Sequence, residues 1–579
     1  MIALGLAACG NEGTVEVRAF PAPETRAVAP GTTFSFRGAS AEEIEGAGEI
    51  EVVGSRSGAH PGELVPHPDG EGASFIPDEE FEPGERISVR TAMEVRRAED
   101  GDFRLRISEE GTPGEPSSPE NPPLEPKDSR RFRSLPRVSM PTLTVDEEAH
   151  NTAPGHLFLS PKRGGKQGSV MIADNEGEPV WFQPMESGLA NDFRVQEYKG
   201  EQVLTWWQGR SIRGYGIGEM KILDSSYQEV ATVAMGNGYG ADLHDCVITP
   251  EGTALLMAYH QVRRDLSPFG GPKRGTVTDS IVQEVDIETG LVLFEWHSYG
   301  NAGLDETDRE LTDDPKDPYD YFHVNAVEVD SDGNLLVTAR RPSAVYKIDR
   351  ETGAIIWRLG GKESDFGLGE GVEFIKQHDA RRHPDGTISI FDNRSQPPDG
   401  ETSRGILLEV DEDAMAVELV RAFEHPEGIY SRSQGGVHMQ PNGNALVGWG
   451  SDPHLTEFSA EGDVLFDAQL PPGFNSYRAY RFEWTGRPQD DPAIAAERTG
   501  DGELTVHASW NGATEVASWE VLAGPGADSL EPVETADRDG FETEIEVVSE
   551  EPFVAVRALD AVGEELGASE AIEPEEQRS

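Results

Sequence analysis

Residues 323–359, HVNAVEVDSDGNLLVTARRPSAVYKIDRETGAIIWRL, contain the pattern that decides the fold. A turn at Gly333 separates two apolar runs, and the unit continues into DRETGAIIWRL. A turn followed by an apolar strand recurs with spacings of 52, 81, 53 and 57 residues, at YKGEQVLTWW (Gly200), PEGTALLMAY (Gly252), SDGNLLVTAR (Gly333), PDGTISIFDN (Gly386) and PNGNALVGWG (Gly443). A turn and several strands repeated about every 50 residues indicate a β-propeller.

The number of blades follows from the number of turns. Five turns are visible, and a sixth blade is expected to combine GSVMIADNEGEPVWF (168–182) with YRAYRFEW (477–484). The long interval between the second and third turns predicts an insertion at about 263–320. The sequence therefore predicts an all-β chain built around a six-bladed propeller, with the innermost strands lining a central channel.

The segments on either side of the propeller predict further domains. Short strands between Pro/Gly turns predict a small immunoglobulin-like β-sandwich at 13–108, and a Pro- and Glu-rich linker follows at 109–127. The propeller is expected at 128–490, and alternating strands predict a fibronectin-III-like sandwich at 491–579. Both flanking domains contain little that looks catalytic.

Composition excludes several classes of function. The chain has 49 basic against 107 acidic residues and a formal net charge of −58, so a nucleic-acid partner is not expected. This acidic balance fits a solvated surface, as in salt-adapted or exported proteins. Two cysteines exclude a disulfide framework and Cys-rich metal sites.

The first residues suggest export. Cys9 lies in LAAC, after the apolar run of residues 2–8, and this resembles the lipobox of a bacterial lipoprotein. Residues 1–12 are therefore interpreted as a remnant of a lipoprotein signal, with Cys9 as the lipidation site. The expected location is the periplasm or the cell surface, with attachment to a membrane through the lipid.

Four histidines precede hairpin glycines of the repeat at short intervals. The intervals to Gly252, Gly333, Gly386 and Gly443 are 8, 10, 8 and 5 residues for His244, His323, His378 and His438. A single histidine in a strand is more often structural, but four at similar repeat positions are predicted to meet in one channel mouth. Such imidazoles suit binding of a sulfate or phosphate oxyanion, or nucleophilic attack on it. Four neutral histidines also suit a metal, and this alternative stays open.

Other polar residues follow these histidines. Strand alternation predicts that Asn325 shares a face with His323, and that one of Arg340 and Arg341 reaches the channel; Arg340 is the preferred candidate. Asp245 and Asp379 directly follow two of the histidines, so they are expected to face away, as strand-edge groups or supports of the site.

The propeller resembles the bacterial aryl sulfotransferases that need no nucleotide sulfate donor. The similarity spans most of residues 130–490 and is strongest in FHVNAVEVDSDGNLLVTARRPSAVYKIDRETGAIIWRLGGK. Supporting matches are APGHLFLSP, DFRVQEYKGEQVLTWWQG, ADLHD, QHDARR, FDN with a later SRG, NGNALVGWG and YRAYRFEW. The resemblance implies a six-bladed propeller in which one histidine takes a sulfuryl group from an aryl sulfate and passes it to a phenol.

The resemblance also assigns roles. His378 in QHDA is the implied nucleophile, and His244, His323, Asn325 and Arg340 are the implied holders of the sulfuryl oxygens. His438 has no counterpart in the motif and is kept as a substrate-binding candidate at the rim. The implied reaction is ping-pong through a sulfohistidine, with an aryl sulfate donor, a phenolic acceptor, a neighbouring histidine as proton carrier, and neither metal nor cofactor. Studied periplasmic members carry a disulfide near the site, whereas Cys246 has no partner nearby in the sequence.

Two alternatives remain at this stage. DIETGLVLFEW (286–296) and DRETGAIIWRL (349–359) resemble the tryptophan-docking repeat of quinone-dependent dehydrogenases, and an iron oxygenase with four histidines is a related possibility among metal-dependent oxidoreductases. The other alternative is a non-enzymatic binding or adhesion propeller, since this fold hosts many functions.

Overall fold

The computed structural model describes residues 14–99, 101–111, 125–164, 167–314, 317–394, 401–500 and 502–576. Within them the chain is all-β, as predicted, with one short α-helix at Ala41–Gly46 and 3-10 turns at Pro126–Asp128 and Ser267–Phe269. The predicted signal remnant, including Cys9, and residues 112–124 of the predicted linker lie outside the described residues. No helix in the described ranges is both long and apolar enough to span a membrane.

Five antiparallel four-stranded sheets follow one another along the middle of the chain. Each is a meander, because its strands pair in sequence order. They are sheet 2 (Leu189–Tyr198, Glu201–Ile212, Tyr215–Leu223, Glu229–Val233), sheet 3 (Cys246–Ile248, Thr253–Arg264, Gly275–Asp286, Val292–His297), sheet 4 (Val324–Val329, Leu335–Ala339, Ala344–Ile348, Ile355–Gly360), sheet 5 (His378–Arg382, Ile388–Asp392, Arg404–Asp411, Ala416–Phe423) and sheet 6 (Gly436–Met439, Ala445–Gly448, His454–Phe458, Val464–Gln469).

Sheet 1 joins segments from both sides of this series. Ala479–Phe482 pairs with His156–Leu159, which pairs with Gln167–Ala173, and Pro179–Pro184 completes the sheet. Lys162–Arg163 and Phe474–Asn475 pair at one end of it. These are the two segments that the sequence predicted to combine.

The first strands of the sheets surround one axis. Those of sheets 2 to 6 contact one another in order, and Ala479–Phe482 of sheet 1 contacts both the sixth and the second, which closes the cycle. We call this assembly the ring. Short additional strands extend three of its sheets: Thr144–Glu147 on sheet 6, Tyr319–Asp320 on sheet 3 and Gly367–Leu368 on sheet 5.

The repeated glycines end the first strand of each meander. Gly200, Gly252, Gly333, Gly386 and Gly443 all have φ between 79° and 89°, a left-handed conformation that glycine adopts without a Cβ clash. The predicted insertion is partly wrong, because residues 263–264 and 275–286 belong to the two long central strands of sheet 3. Among the described residues of this interval, those after His297 depart from the repeat.

The N-terminal part forms two sheets over a common core that includes Phe34, Phe36 and Ile87. One sheet orders Gly62–Pro66, Gly72–Pro77, Phe34–Arg37, Glu16–Phe20 and Glu94–Val95; the other orders Gly58–Ala59, Glu51–Gly54, Arg86–Arg90 and Phe103–Arg106. This part contacts sheet 3 of the ring, where Phe20 packs on Phe294 with ring centroids 5.0 Å apart. Residues 109–111 continue along sheet 3, since Gly111 N–H donates to the Gln261 carbonyl.

The C-terminal part also has two sheets around one core, which contains Trp519. One orders Glu542–Val548, Glu503–Ser509, Ala493–Gly500 and Glu575–Glu576; the other orders Glu531–Asp537, Ser518–Gly524, Phe553–Leu559 and Glu565–Ala568. It contacts sheet 1, where Asn511 exchanges hydrogen bonds with the backbone of Phe182. The short pair Ser129–Arg130 and Met140–Pro141 precedes sheet 1 in the chain.

Candidate active site

Three of the four predicted histidines meet at one end of the ring axis. His244 and His323 lie just before the first strands of sheets 3 and 4, and His378 begins that of sheet 5. The ring centroids of His244 and His323 are 5.2 Å apart. The Tyr477 ring lies 5.6 Å from His244 and 6.4 Å from His378. All three imidazoles are buried.

Hydrogen bonds fix the tautomer of His378. The Asn393 amide nitrogen donates to the carbonyls of Ser431 and Gln434, which turns its Oδ1 toward His378 Nδ1 at 2.6 Å. Nδ1 therefore carries the proton, and Nε2 keeps its lone pair. Nε2 accepts a long hydrogen bond of 3.2 Å from the Gln434 N–H. Burial and the nearby charge of Arg340 hold the pKa of His378 well below its ordinary value, so the ring is neutral at pH 7.

A carboxylate orients each of the other two histidines. His244 Nδ1 bonds Asp242, whose second oxygen accepts the Gly216 N–H at 2.6 Å. His323 Nδ1 bonds Asp320 Oδ2 at 2.6 Å. Both imidazoles therefore direct Nε2 away from their carboxylates. Burial lowers the pKa of His323 to about 4, although Asp320 opposes the shift.

Asn325 reaches the site through a β-bulge rather than through strand alternation. His323 has φ 57°, and the register of its strand shifts between Val324 and Ala326. Asn325 Nδ2 donates to the Gln377 carbonyl at 2.8 Å, next to His378. Its Oδ1 is buried without a hydrogen-bond partner in the described part of the chain. The Gln377 carbonyl takes one of the two Nδ2 hydrogens, so the donor role of Asn325 stays a prediction.

Arg340 and Arg341 both lie at this end of the ring. Alternation does not separate them, because the strand ends at Ala339 and their backbone N–H groups bond the carbonyls of His323 and Phe322. Arg341 Nε contacts Asp320 Oδ2 at 3.4 Å. Arg340 Nη2 donates to the Arg432 carbonyl at 3.1 Å, and burial with Arg341 nearby lowers its pKa to about 10.

Several cations at this end of the ring have no carboxylate partner among the described residues. In the described part of the chain, no salt bridge holds Arg340, Lys376 or Lys162, although Asp320 lies near Arg340. Burial, Arg340 and Arg341 together lower the pKa of Lys376. In a chain of net charge −58, unpaired cations at a buried site indicate a place for an anion.

Deeper along the axis, three arginines and three aspartates form an ion network. The contacts are Arg478 with Asp192, Asp245 and Asp379 (2.8, 3.2 and 3.2 Å), Arg194 with Asp245 and Asp192 (2.8 and 3.3 Å), and Arg381 with Asp245 and Asp379 (2.6 and 2.8 Å). Burial alone would raise the pKa of Asp245, but the arginines hold it below its ordinary value. We call these six residues the axial ion network.

This network corrects the expectation that Asp245 and Asp379 face away from the channel. Asp379 has φ 58° and lies in a bulge between His378 and Arg381, so it turns inward although it directly follows His378. Asp245 precedes its strand, where alternation does not apply. The network fills the axis below the histidines with matched charge.

His438 does not join the other histidines. It is the third residue of its strand, whereas His378 is the first, so His438 lies further along the axis. Its ring packs against Phe482 with centroids 4.7 Å apart, and it lines a separate cavity of about 500 Å³ with Arg382 and His383. The expectation that four imidazoles share one mouth is therefore wrong for His438.

The residues that could together bind a metal ion lie away from the three histidines. Among the described residues, the group whose ligand atoms lie within 4.8 Å of one another is His425, His454 and Asp467, on the outer part of sheet 6. His425 Nδ1 accepts the Glu427 N–H at 3.2 Å, which places its proton on Nε2, the atom facing Asp467. That tautomer suits a hydrogen bond better than a metal.

One known protein family matches the part of the chain that contains these histidines. Residues 194–470 match the arylsulfotransferase (ASST) family. This region belongs to the arylsulfotransferase family. It includes His244, His323, His378, Asn325 and Arg340, and its membership supports a sulfotransferase enzyme.

Other comparisons are more distant. No curated protein matches the chain. A protein of unknown function from Bacteroides caccae is 16% identical and covers 57% of this chain and 98% of its own, with a TM-score of 0.35. An auxiliary nutrient binding protein from Bacteroides ovatus is 12% identical and covers 79% of this chain and 98% of its own, with a TM-score of 0.31.

Several residues of the candidate site were not predicted. Asp242 and Asp320 precede their histidines by two and three residues, and an acidic residue just before each histidine was a usable signal. Asn393 lies in FDN, directly after the second strand of sheet 5. Lys162 and Tyr477 come from sheet 1 and lie outside residues 194–470, so their proximity depends on closure of the ring.

Proposed function

We propose that the protein transfers a sulfuryl group from an aryl sulfate ester to a phenol, by a ping-pong reaction through a sulfohistidine at His378. The observation that carries this proposal is the fixed tautomer of His378, which leaves the Nε2 lone pair near Arg340, one of the cations that lack a salt bridge. Nucleophilic catalysis needs that lone pair, and an anionic substrate needs those cations.

In the first half-reaction, His378 Nε2 attacks sulfur and the bond from sulfur to the aryl oxygen breaks. The incoming sulfuryl group replaces the 3.2 Å contact with Gln434, whose N–H is then free to bond a sulfuryl oxygen. Arg340 stabilises negative charge on the same oxygens, together with the Nε2 atom of His323 when that ring is protonated. The arriving anion favours that protonation.

In the second half-reaction, a phenol attacks the same sulfur and the N–S bond breaks. The electron pair returns to His378 Nε2, which restores the starting tautomer. The hydrogen bond from Nδ1 to Asn393 is kept throughout, so the ring does not reorient between halves. One site serves donor and acceptor in turn, without a nucleotide.

We also propose that sheets 1 to 6 form a six-bladed β-propeller. The closed cycle of first strands supports it. The paired sheets on either side are proposed to be β-sandwich domains at 13–108 and 491–579, with a structural role. Export, with lipid attachment at Cys9, remains a proposal from the sequence.

The direct test is an assay with 4-nitrophenyl sulfate as donor and phenol as acceptor. We expect release of 4-nitrophenolate that depends on phenol, and parallel double-reciprocal plots. Release without phenyl sulfate formation would indicate hydrolysis instead. No phenolate release from any aryl sulfate over a range of salt concentrations would favour the binding or adhesion alternative.

Replacing Arg340 by Met is expected to lower kcat/KM for the donor by about 10²–10³-fold, because one charged donor to the sulfuryl oxygens is lost. Arg340 also depresses the pKa of His378. Its loss should raise that pKa, so the decline of activity at acid pH should begin at a higher pH. A pH profile of kcat/KM checks both effects, with Arg487→Met as a surface control.

A further inference from the structure

Lys162 is separated from two of the histidines by the Tyr477 ring, and it has no partner that explains its charge. Its Nζ donates to Asn191 Oδ1 at 2.9 Å and lies 5.3 Å from the centroid of the Tyr477 ring. Neither contact neutralises an ammonium group. The same Tyr477 ring contacts His244 and His378.

The position of Lys162 is fixed by two sheets. Its short strand pairs with Gly168 on one side and Asn475 on the other. Asn191 is held in turn, because its Nδ2 donates to the Leu243 carbonyl next to His244 at 3.2 Å. The Asn191 oxygen therefore points at Lys162, and the amine is held over the Tyr477 ring.

The reaction proposed above needs a proton carrier for two phenolic oxygens. Without an anion in the site His323 is neutral near pH 7, since its pKa is about 4, and a proton gained with the anion is held on a sulfuryl oxygen. His378 uses Nε2 for sulfur. Burial lowers the pKa of Lys162 to about 7, so its protonated and neutral forms are both accessible. The titratable groups around it are Tyr477, the adjacent Arg163 and, across the Tyr477 ring, His244 and His378.

We propose that Lys162 is the acid–base catalyst of the transfer, a role that rests on the sulfotransferase function proposed above. In the first half-reaction the ammonium group gives its proton to the oxygen of the leaving phenolate and becomes a neutral amine. In the second, this amine removes the proton of the acceptor phenol as its oxygen attacks sulfur. Each turnover returns Lys162 to the ammonium form.

The test measures formation of the sulfuryl enzyme from two donors. 4-Nitrophenolate leaves readily without a proton, whereas the phenolate from phenyl sulfate, with a parent pKa of about 10 as in tyrosine, needs one. With Lys162→Met we expect the rate to fall about 100-fold or more for phenyl sulfate and less than about 10-fold for 4-nitrophenyl sulfate. Lys127→Met is the surface control.

Lys162→Arg separates proton transfer from charge. A guanidinium keeps the charge but not the proton transfer, so it should show the same difference between donors. In the wild type, kcat/KM for phenyl sulfate should fall above pH about 7 and kcat/KM for phenol should fall below it, and the arginine variant should lack both changes.

The outcomes distinguish the two proposals. Equal losses for both donors, or full activity of Lys162→Arg, would overturn the role of Lys162 while leaving the sulfotransferase intact. If the wild-type protein forms no sulfuryl adduct with either donor, the proposed function itself fails. A thermal unfolding curve for each variant shows whether the fold is retained.

Discussion

The variant His378→Asn is expected to lose sulfuryl transfer by at least ~10⁴-fold, the scale on which a covalent nucleophile acts. Asparagine has no lone pair of comparable basicity to attack sulfur. It can still meet the Asn393 amide, so the local backbone should be retained. The rate of 4-nitrophenolate release measures the loss.

Intact mass gives the second readout for this variant. Wild-type protein mixed with donor alone should gain the mass of one sulfuryl group, and His378→Asn should gain none. His150→Asn, at an exposed histidine outside the ring axis, is the matched control and should behave as wild type. Transfer at a comparable rate by His378→Asn would remove His378 as the nucleophile.

Replacing Arg478 by Met is expected to cost about 3–5 kcal/mol of folding free energy, because it leaves buried carboxylates without their partner. Arg478 contacts all three aspartates of the axial ion network, and its side chain is fully buried. Urea or thermal unfolding followed by tryptophan fluorescence measures the loss. Arg487→Met breaks an exposed pair with Glu515 and should change stability little.

A double variant tests whether unbalanced charge causes the loss of stability in Arg478→Met. Adding Asp192→Asn to Arg478→Met removes one of the uncompensated negative charges, so part of the lost stability should return. Asp192→Asn alone is expected to lower stability. If it lowers the stability of Arg478→Met by the same amount as that of the wild type, the network does not act through charge balance.

Much of the fold was readable because the turns repeat. Each of the five glycines must adopt positive φ at the same point of a meander, and this requirement leaves a visible mark in the sequence. The combination of 168–182 with 477–484 in one sheet was also predicted, because the five turns account for five sheets and these two segments remained for a sixth. One strand of sheet 3 and the end of another fall within the predicted insertion, because their length breaks the spacing.

The site was only partly readable. His244, His323 and His378 lie at or just before the start of their strands, whereas His438 lies two positions further into its strand than His378 does. In the sequence this difference is visible only as the shorter interval from His438 to its glycine. Alternation failed at Asn325 and Asp379, because bulges reverse the direction of side chains and leave no clear signal in one sequence. Lys162 was missed because its neighbours come from distant parts of the chain.

Sheet 1 contains strands from both ends of the ring segment, so it can be completed only late in synthesis of the chain. His156 pairs with Phe482, so the early strands of this sheet wait for most of the ring to be made before their inner partner exists. At about 5–20 residues per second this delay lasts tens of seconds, with an unpaired strand edge exposed. Lys162 and Tyr477 meet only when that strand docks, so the nascent chain completes the proposed active site in the last step of ring assembly.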